Sequence, residues 1–341
     1  MSKRKLTRRQ AWRVEKIQQE RTQRALKKES NYTTQLDASE LGTEQHGLII
    51  SHFGKQVDVE MLEGENAGTI YRCHLRTHLG QLVTGDKVIW REGSPTGVVV
   101  AVLPRTSELQ RPTNHGELKP VAANIDKIII TFAIEPQPFS NLIDRYLVAA
   151  ELSDIEPVLL LNKADLINDS NRDTINQLID RYQSIGYQVL TASTTLESGM
   201  QALYEQLNNN TCVFVGQSGV GKSSLINVLL PGVDIKVGGL SEQTRKGKHT
   251  TTTARLFHIP SGGDLIDSPG IREFALWHLH EDLIIEGFVE FKPFIGMCKF
   301  RNCKHEQEPK CALLDAVEAG KISESRLESY RRIIVSLSEN K

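Results

Sequence analysis

Gly216-Gln217-Ser218-Gly219-Val220-Gly221-Lys222-Ser223 fits the pattern G-x-x-x-x-G-K-[ST], a loop whose backbone N–H groups cradle phosphates at a helix N-terminus. The apolar residues 212–215 before it read as a strand, and residues 223–229 after it read as a helix. Gly216 and Gly221 permit the tight backbone, Lys222 would reach the β- and γ-phosphates, and the Ser223 hydroxyl would ligate Mg²⁺. Gln217, Ser218, Gly219, Val220 and Ser224 are the remaining candidate phosphate contacts. The same alternation recurs upstream. Residues 127–132 and 157–161 are apolar runs, Ser140 can cap a helix over 141–152, and a polar helix covers about 172–185. Residues 187–190 read as a further strand and 196–207 as a further helix. Strands alternating with helices imply a parallel sheet covered on both faces, with ligand loops at the carboxyl ends of the strands.

Two more motifs sit at predicted strand ends. Asn162-Lys163-Ala164-Asp165 resembles the N-K-x-D guanine reader of regulatory GTPases, and Asp267-Ser268-Pro269-Gly270 resembles their D-x-x-G metal and γ-phosphate motif. Asp165 can accept hydrogen bonds from guanine N1–H and the 2-amino group, a pair that adenine does not offer. Asn162 would donate to the base edge or tie neighbouring loops, and Lys163 would lie along the ring. Thr191-Ala192-Ser193 resembles the short S/T-A motif, which assigns the amide contact to guanine O6 to Ala192. Asp267 can hold the Mg²⁺ shell, and Gly270 lets a backbone N–H approach the γ-phosphate. Residues 238–252 are rich in glycine and charge and suit a switch ordered by γ-phosphate and Mg²⁺. Thr251 or Thr252 would complete that shell. In an ordinary GTPase the guanine reader follows the other two motifs. Here it leads, so the chain looks like a circularly permuted GTPase that takes GTP rather than ATP.

The flanks differ from this centre. The formal net charge of the 341 residues is −1, yet residues 1–28 hold Lys3, Arg4, Lys5, Arg8, Arg9, Arg13, Lys16, Arg21, Arg24, Lys27 and Lys28 against only Glu15 and Glu20. Such a block reads as a disordered arm that attracts nucleic acid or as a solvated tail. No apolar core follows it and no segment is long enough to span a membrane, so a cytoplasmic protein is expected. Residues 44–103 read as five short strands separated by glycines, hence a small barrel for which an OB-fold is the natural candidate. Lys55, Arg72, His74, Arg76, His78 and Arg91 could lie on or near its surface, where such barrels bind nucleic acid. Pro104, Pro112, Gly116 and Pro120 make 104–120 read as a linker. At the other end, Cys298, Cys303, His305 and Cys311 offer three thiolates and one imidazole, enough to close a tetrahedral structural Zn²⁺ site. Lys292, Lys299, Arg301, Lys304 and Lys310 surround them, which suits RNA phosphates, and Leu327, Tyr330, Ile334 and Leu337 have the spacing of a packed helix.

These features together resemble the RsgA (YjeQ) family of circularly permuted GTPases. The resemblance covers nearly the whole chain. Its most specific elements are the motif order, Lys248-His249-Thr250-Thr251-Thr252, and the cysteine spacing. It implies a multidomain protein with a basic arm (1–38), an OB-fold β-barrel (39–108), a central permuted α/β P-loop GTPase domain (109–280) and a small α-rich zinc-binding domain (281–341). It also implies GTP hydrolysis in late maturation of the small (30S) ribosomal subunit. The implied partners are 16S rRNA and assembly factors such as RbfA, with one Zn²⁺ per chain, Mg²⁺ with GTP, and hydrolysis that drives release of the protein. No DNA or membrane partner and a monomeric state are expected. A large-subunit or general RNA-remodelling GTPase is the alternative. Ile271 stands where Ras-like proteins carry the glutamine that orients attacking water, so unaided hydrolysis should be slow. The resemblance gives that catalytic role to His249, alongside Lys222; a switch-surface or RNA-contact role for His249 is the competing reading.

Overall fold

The computed structural model describes residues 41–76, 79–112, 118–233, 254–267 and 281–338. At its centre, parallel strands β8 (Lys127–Ala133), β9 (Glu156–Asn162), β10 (Gln188–Thr191), β11 (Thr211–Val215) and β13 (Asp264–Asp267) are joined by the antiparallel β12 (Arg255–His258), in the order β10-β9-β8-β11-β13-β12. Alternate side chains of the inner strands feed two cores. Ile128, Ile130, Leu159 and Val213 pack on one face with Leu147 of α1 (Ser140–Leu152) and Leu178 of α2 (Arg172–Ser184). Ile129, Leu160 and Phe214 pack on the other with Leu203 of α3 (Gln201–Leu207) and Leu225 of α4 (Lys222–Leu229). Each such buried side chain contributes about 1.5–3 kcal/mol of hydrophobic stabilisation. Because both faces are covered, these strands read as continuous apolar runs. The chain builds outward from β8 to β10 and then returns to β11 on the other side of β8. That reversal opens a crevice between the carboxyl ends of β8 and β11, the place where open α/β sheets bind ligands.

The N-terminal strands β1 (Glu44–Phe53), β2 (Gln56–Met61), β3 (Ile70–Leu75), β4 (Lys87–Arg91) and β5 (Gly97–Val102) run in the order β1-β2-β3-β5-β4, and β4 closes back onto β1. Only β3 and β5 pair in parallel, which is the OB-fold arrangement. Trp90, Val57, Val59, Cys73 and Val99 fill the barrel. Gly47 lets Trp90 lie against the backbone of β1; a Cβ there would sit 2.7 Å from the indole. A register shift between Ile49 and Ser51 lets β1 serve two sheets, since Ser51 pairs with Arg255 of β12. Barrel and central sheet therefore form one continuous sheet.

The linker expected over 104–120 is instead largely a hairpin, β6 (Glu108–Pro112) with β7 (Leu118–Ala123). Leu109 and Ala122 are fully buried in the central core, and the prolines are tolerated in a two-stranded sheet whose second edge carries only the Thr84–Ala122 bridge. Ser140 is the first helical residue of α1; the preceding Phe139 is the N-cap and no side chain caps the helix. Helix α3 starts at Gln201 rather than near 196.

The C-terminal module comprises α5 (Glu281–Ile284), two short 3₁₀ segments (Ile285–Gly287 and Val289–Phe294), α6 (Ala312–Glu318) and α7 (Glu324–Ser338). Phe288, Phe291, Leu313, Leu327, Tyr330 and Ile333 form its core, which continues into Val148 and Ala149 of α1. Gly287 packs so closely on Val148 that a Cβ would stand 2.6 Å from its methyl group. Across this junction Arg326 of α7, 1% exposed, bonds Asp144 of α1 at 2.5 Å and Glu290 at 2.6 and 3.1 Å. Tyr182 of α2 donates to the same Asp144 carboxylate at 2.9 Å.

Candidate nucleotide and metal sites

The P-loop is clenched between two neighbours, and its glycines explain how. Gly216 has φ +138°, and a Cβ there would come within 2.0 Å of the Thr131 carbonyl on β8. Gly221, at φ +92°, is the N-cap of α4 and faces Asn162 Nδ2, 2.4 Å from where a Cβ would lie. Lys222 Nζ folds over the loop and donates to the Gly216 and Gln217 carbonyls at 2.7 Å each. Ser223 and Ser224 follow in the first turn of α4, with Ser223 half-buried and Ser224 exposed. The first turn of a helix presents N–H groups that have no intrahelical acceptor and the positive end of the helix dipole, both suited to phosphate.

Asn162 ends β9 and is 3% exposed. Its Nδ2 donates to the Val220 carbonyl at 2.9 Å, so of the two roles the sequence left open, it ties the loops together. Lys163 adopts a left-handed backbone (φ +60°) and donates from Nζ to the Gly219 carbonyl at 2.9 Å and the Glu135 carbonyl at 2.6 Å. Its stem thus crosses the mouth of the P-loop. Asp165 accepts from the Ser193 hydroxyl at 2.5 Å. That hydrogen bond, ahead of all other causes, holds the Asp165 carboxyl below the ordinary aspartate range, so it stays an acceptor.

One assigned contact changes. The Ala192 N–H donates to the Leu161 carbonyl at 2.8 Å and is spent within the sheet. The Ser193 N–H is likewise spent on the Gly199 carbonyl at 3.0 Å. Thr194 supplies the next amide along, and among the described residues it has no hydrogen-bond partner. The Ala192 amide expected to meet guanine O6 is thus engaged in the sheet, and the Ser193 hydroxyl holds Asp165. Ser193 and the Glu135 carbonyl are the orienting groups that sequence reasoning did not single out for these tasks. A serine one short turn after a strand is too common a signal to find them.

Asp267 ends β13, beside β11, and is half-buried at the same rim of the sheet as Ser223. His249, Thr251, Thr252 and Gly270 lie outside the described residues, as do Ile271, His78 and the basic arm.

Some distance along the chain, ligand atoms of Cys298, Cys303, His305 and Cys311 all lie within 4.8 Å of one another. Cys298 Sγ stands 3.9 Å from Cys311 Sγ and 3.6 Å from His305 Nδ1, and His305 Nδ1 stands 3.3 Å from Cys311 Sγ. A tetrahedral Zn²⁺ with three sulfur ligands and one nitrogen would set such separations at about 3.5–3.8 Å, so the donor set and its size fit that ion. Burial holds the His305 ring below its ordinary pKa, favouring the neutral imidazole that a metal requires. Arg331 of α7 donates to the His305 carbonyl at 3.0 Å and the Ala312 N–H points to Cys298 Sγ at 3.3 Å, fixing the ligand loop from outside. Of the cations expected around it, Lys292 is engaged with Glu151 of α1 at 3.6 Å; Lys299, Arg301, Lys304 and Lys310 are exposed. Among the described residues no helix is long and apolar enough to cross a membrane.

Comparison with known proteins gives a consistent picture. The family model described as RsgA GTPase matches residues 102–277. A protein of Hahella chejuensis named small ribosomal subunit biogenesis GTPase RsgA is 58% identical over 340 residues, which is 99% of this chain and 98% of that protein. A protein of the same name from Azotobacter vinelandii is also 58% identical, covering 99% of each. Among solved structures, YjeQ from Thermotoga maritima is 30% identical with a TM-score of 0.70, over 86% of this chain and 99% of that one. YloQ, described as a circularly permuted GTPase, is 30% identical with a TM-score of 0.69, over 88% and 96%.

Proposed function

This chain belongs to the RsgA family of circularly permuted GTPases, and from that membership we propose that it hydrolyses GTP during late maturation of the small ribosomal subunit. The observation that carries the reading is the fastening of the guanine reader to the phosphate loop by Asn162 and Lys163, since one bound nucleotide must satisfy both. Asp165 accepts from guanine N1–H and the 2-amino group, and the Thr194 amide donates to O6. The P-loop from Gly216 to Ser224 wraps the phosphates, and Lys222 exchanges its loop carbonyls for β- and γ-phosphate oxygens. Ser223 and Asp267 would hold Mg²⁺, with Thr251 or Thr252 completing its shell and the Gly270 N–H meeting the γ-phosphate. Mg²⁺ supplies charge neutralisation at the β- and γ-oxygens. His249 orients the attacking water, because Ile271 cannot. Cys298, Cys303, His305 and Cys311 would hold one structural Zn²⁺ that stabilises the fold of this module.

The names of the relatives support the small subunit as partner. The barrel and the exposed cations near the metal ligands support contact with its 16S rRNA. In this reading the GTP-bound protein docks late, factors such as RbfA leave, and subunit-stimulated hydrolysis releases the protein. The test is GTP hydrolysis alone, with purified small subunits and with purified large subunits. Strong stimulation by small subunits only, lost in His249→Ala with GTP binding intact, is expected. Stimulation by large subunits instead would move the protein to the alternative partner.

A further inference from the structure

Cys298 and Cys303 bracket the four residues Lys299-Phe300-Arg301-Asn302, so metal ligation would pin both ends of this loop. The loop is also tied by its own backbone. The Cys303 N–H donates to the Phe300 carbonyl at 3.2 Å, and the Lys299 N–H to the Lys310 carbonyl at 3.2 Å. On this short rigid frame Phe300 is 41% exposed, and nearby in sequence Met297 is 70% exposed and Ile295 37%. Met297 is the most exposed large hydrophobic among the described residues. An aromatic ring held in water by a pinned backbone costs apolar exposure that a core position would avoid.

The charges around the ring say what it is exposed for. Lys299 Nζ lies 5.3 Å from the centroid of the Phe300 ring, and Arg301, Lys304 and Lys310 are all exposed. Of the nearby acids, Glu308 is half-buried and its carboxylate accepts the N–H groups of Lys304, Glu306 and Gln307 at 2.8–3.1 Å. Only Glu306 remains as an exposed carboxylate between Cys298 and Cys311. A protein-binding patch would be depleted of charge at its centre. An aromatic ring interleaved with lysine and arginine instead matches an unstacked base flanked by phosphates.

We propose that the tip of the metal module is a base-stacking RNA site, with an unpaired base on Phe300 and the flanking phosphates on Lys299, Arg301, Lys304 and Lys310. This deepens the rRNA-binding reading above and rests on it for the identity of the natural RNA. Paired RNA offers no free base face, so the target is a loop, bulge or single strand.

The test uses the full-length, zinc-loaded protein and two probes: purified small subunits, and a single-stranded oligoribonucleotide carrying 2-aminopurine. Phe300→Ala should weaken binding to both by roughly 5- to 100-fold, the range expected for loss of one base–aromatic stack. It should also abolish 2-aminopurine quenching while leaving the salt dependence, zinc content and GTP affinity unchanged. Phe300→Trp should restore binding and Phe300→Leu should not, whereas Lys304→Ala should flatten the salt dependence. Undiminished binding by Phe300→Ala to both probes would overturn the proposal. Full rescue by Phe300→Leu would also overturn it, in favour of apolar packing against a ribosomal protein. Quenching by the wild type and not by Phe300→Ala supports the tip even if small subunits fail to bind, a result that would remove the assigned partner alone.

Discussion

The barrel and the metal module are fastened to one nucleotide domain by different interactions. The barrel joins through a strand pairing reinforced by side chains. Ser51 of β1 pairs with Arg255 of β12, Thr84 Oγ1 donates to the Ala254 carbonyl at 2.9 Å, and the Ala123 N–H bonds the Thr84 carbonyl at 3.0 Å. The metal module joins through side chains, with the buried Arg326 held by Asp144 and Glu290 and stacked 4.4 Å above the Phe288 ring. The two junctions also meet different parts of the site. Strand β12 pairs with β13, which ends at Asp267, so the barrel junction adjoins the Asp267 side of the candidate site. Helix α1 follows the loop whose Glu135 carbonyl holds Lys163, so the metal-module junction adjoins the Lys163 side of the candidate site.

The largest test of this contrast is metal removal. A structural Zn²⁺ contributes on the order of 10 kcal/mol to folding its own module. Stripping it with a strong chelator, or replacing Cys311 with Ala, should make residues beyond 281 protease-sensitive while the barrel remains resistant. Equal loss of both would erase the distinction. Next in size, Arg326→Ala should cost about 3–5 kcal/mol, because it leaves Asp144 and Glu290 buried without their cation. Denaturant unfolding would measure the loss. Replacing the three charged residues together with apolar ones of similar volume should recover most of it. Gly85→Ala attacks the other junction. Gly85 has φ +91°, and a Cβ would lie 2.1 Å from the Ala123 carbonyl, so a loss of about 2–3 kcal/mol is expected, with barrel amides near β1 exchanging first.

The smallest effect sharpens the comparison through pH. His258 of β12 bridges Glu60 of the barrel at 2.7 Å and Asp264 of β13 at 2.6 Å. The Asp264 hydrogen bond first, and Glu60 after it, push the His258 pKa up to about 9 against the opposing effect of burial. A pKa raised on folding means stability fully present below the unfolded value of about 6.5 and lost as pH rises through about 9. The His258 side chain is 55% exposed, so solvent screening limits the contribution to at most about 1 kcal/mol. His258→Gln should flatten the stability profile between those pH values. A profile identical to that of the wild type would remove this bridge from the barrel junction.

The nucleotide site was legible because phosphate cradling demands glycines and a lysine at fixed spacing, and the flanking strands are apolar enough to declare themselves. Reading the barrel worked for a similar reason, with glycine turns separating β-branched runs. The hairpin at β6 and β7 was hidden by its prolines, which are compatible with a free strand edge. Strand β12 was missed because Arg255-Leu256-Phe257-His258 is short and follows a glycine- and charge-rich run. Arg326 was invisible for another reason: a helix arginine reads as solvated until the docking of α7 on α1 buries it. The same limit applies to the guanine loop, where only hydrogen-bond partners distinguish Ala192 from Thr194.

The strand shared at β1 also bears on how the protein can be divided. A chain shortened to begin after the barrel would uncover the outer edge of β12, with its backbone donors and acceptors unpaired. Open edges of that kind recruit strands from other molecules. The nucleotide domain without its barrel is therefore expected to self-associate more readily than the full chain, in which Ser51 pairs with Arg255 on that edge.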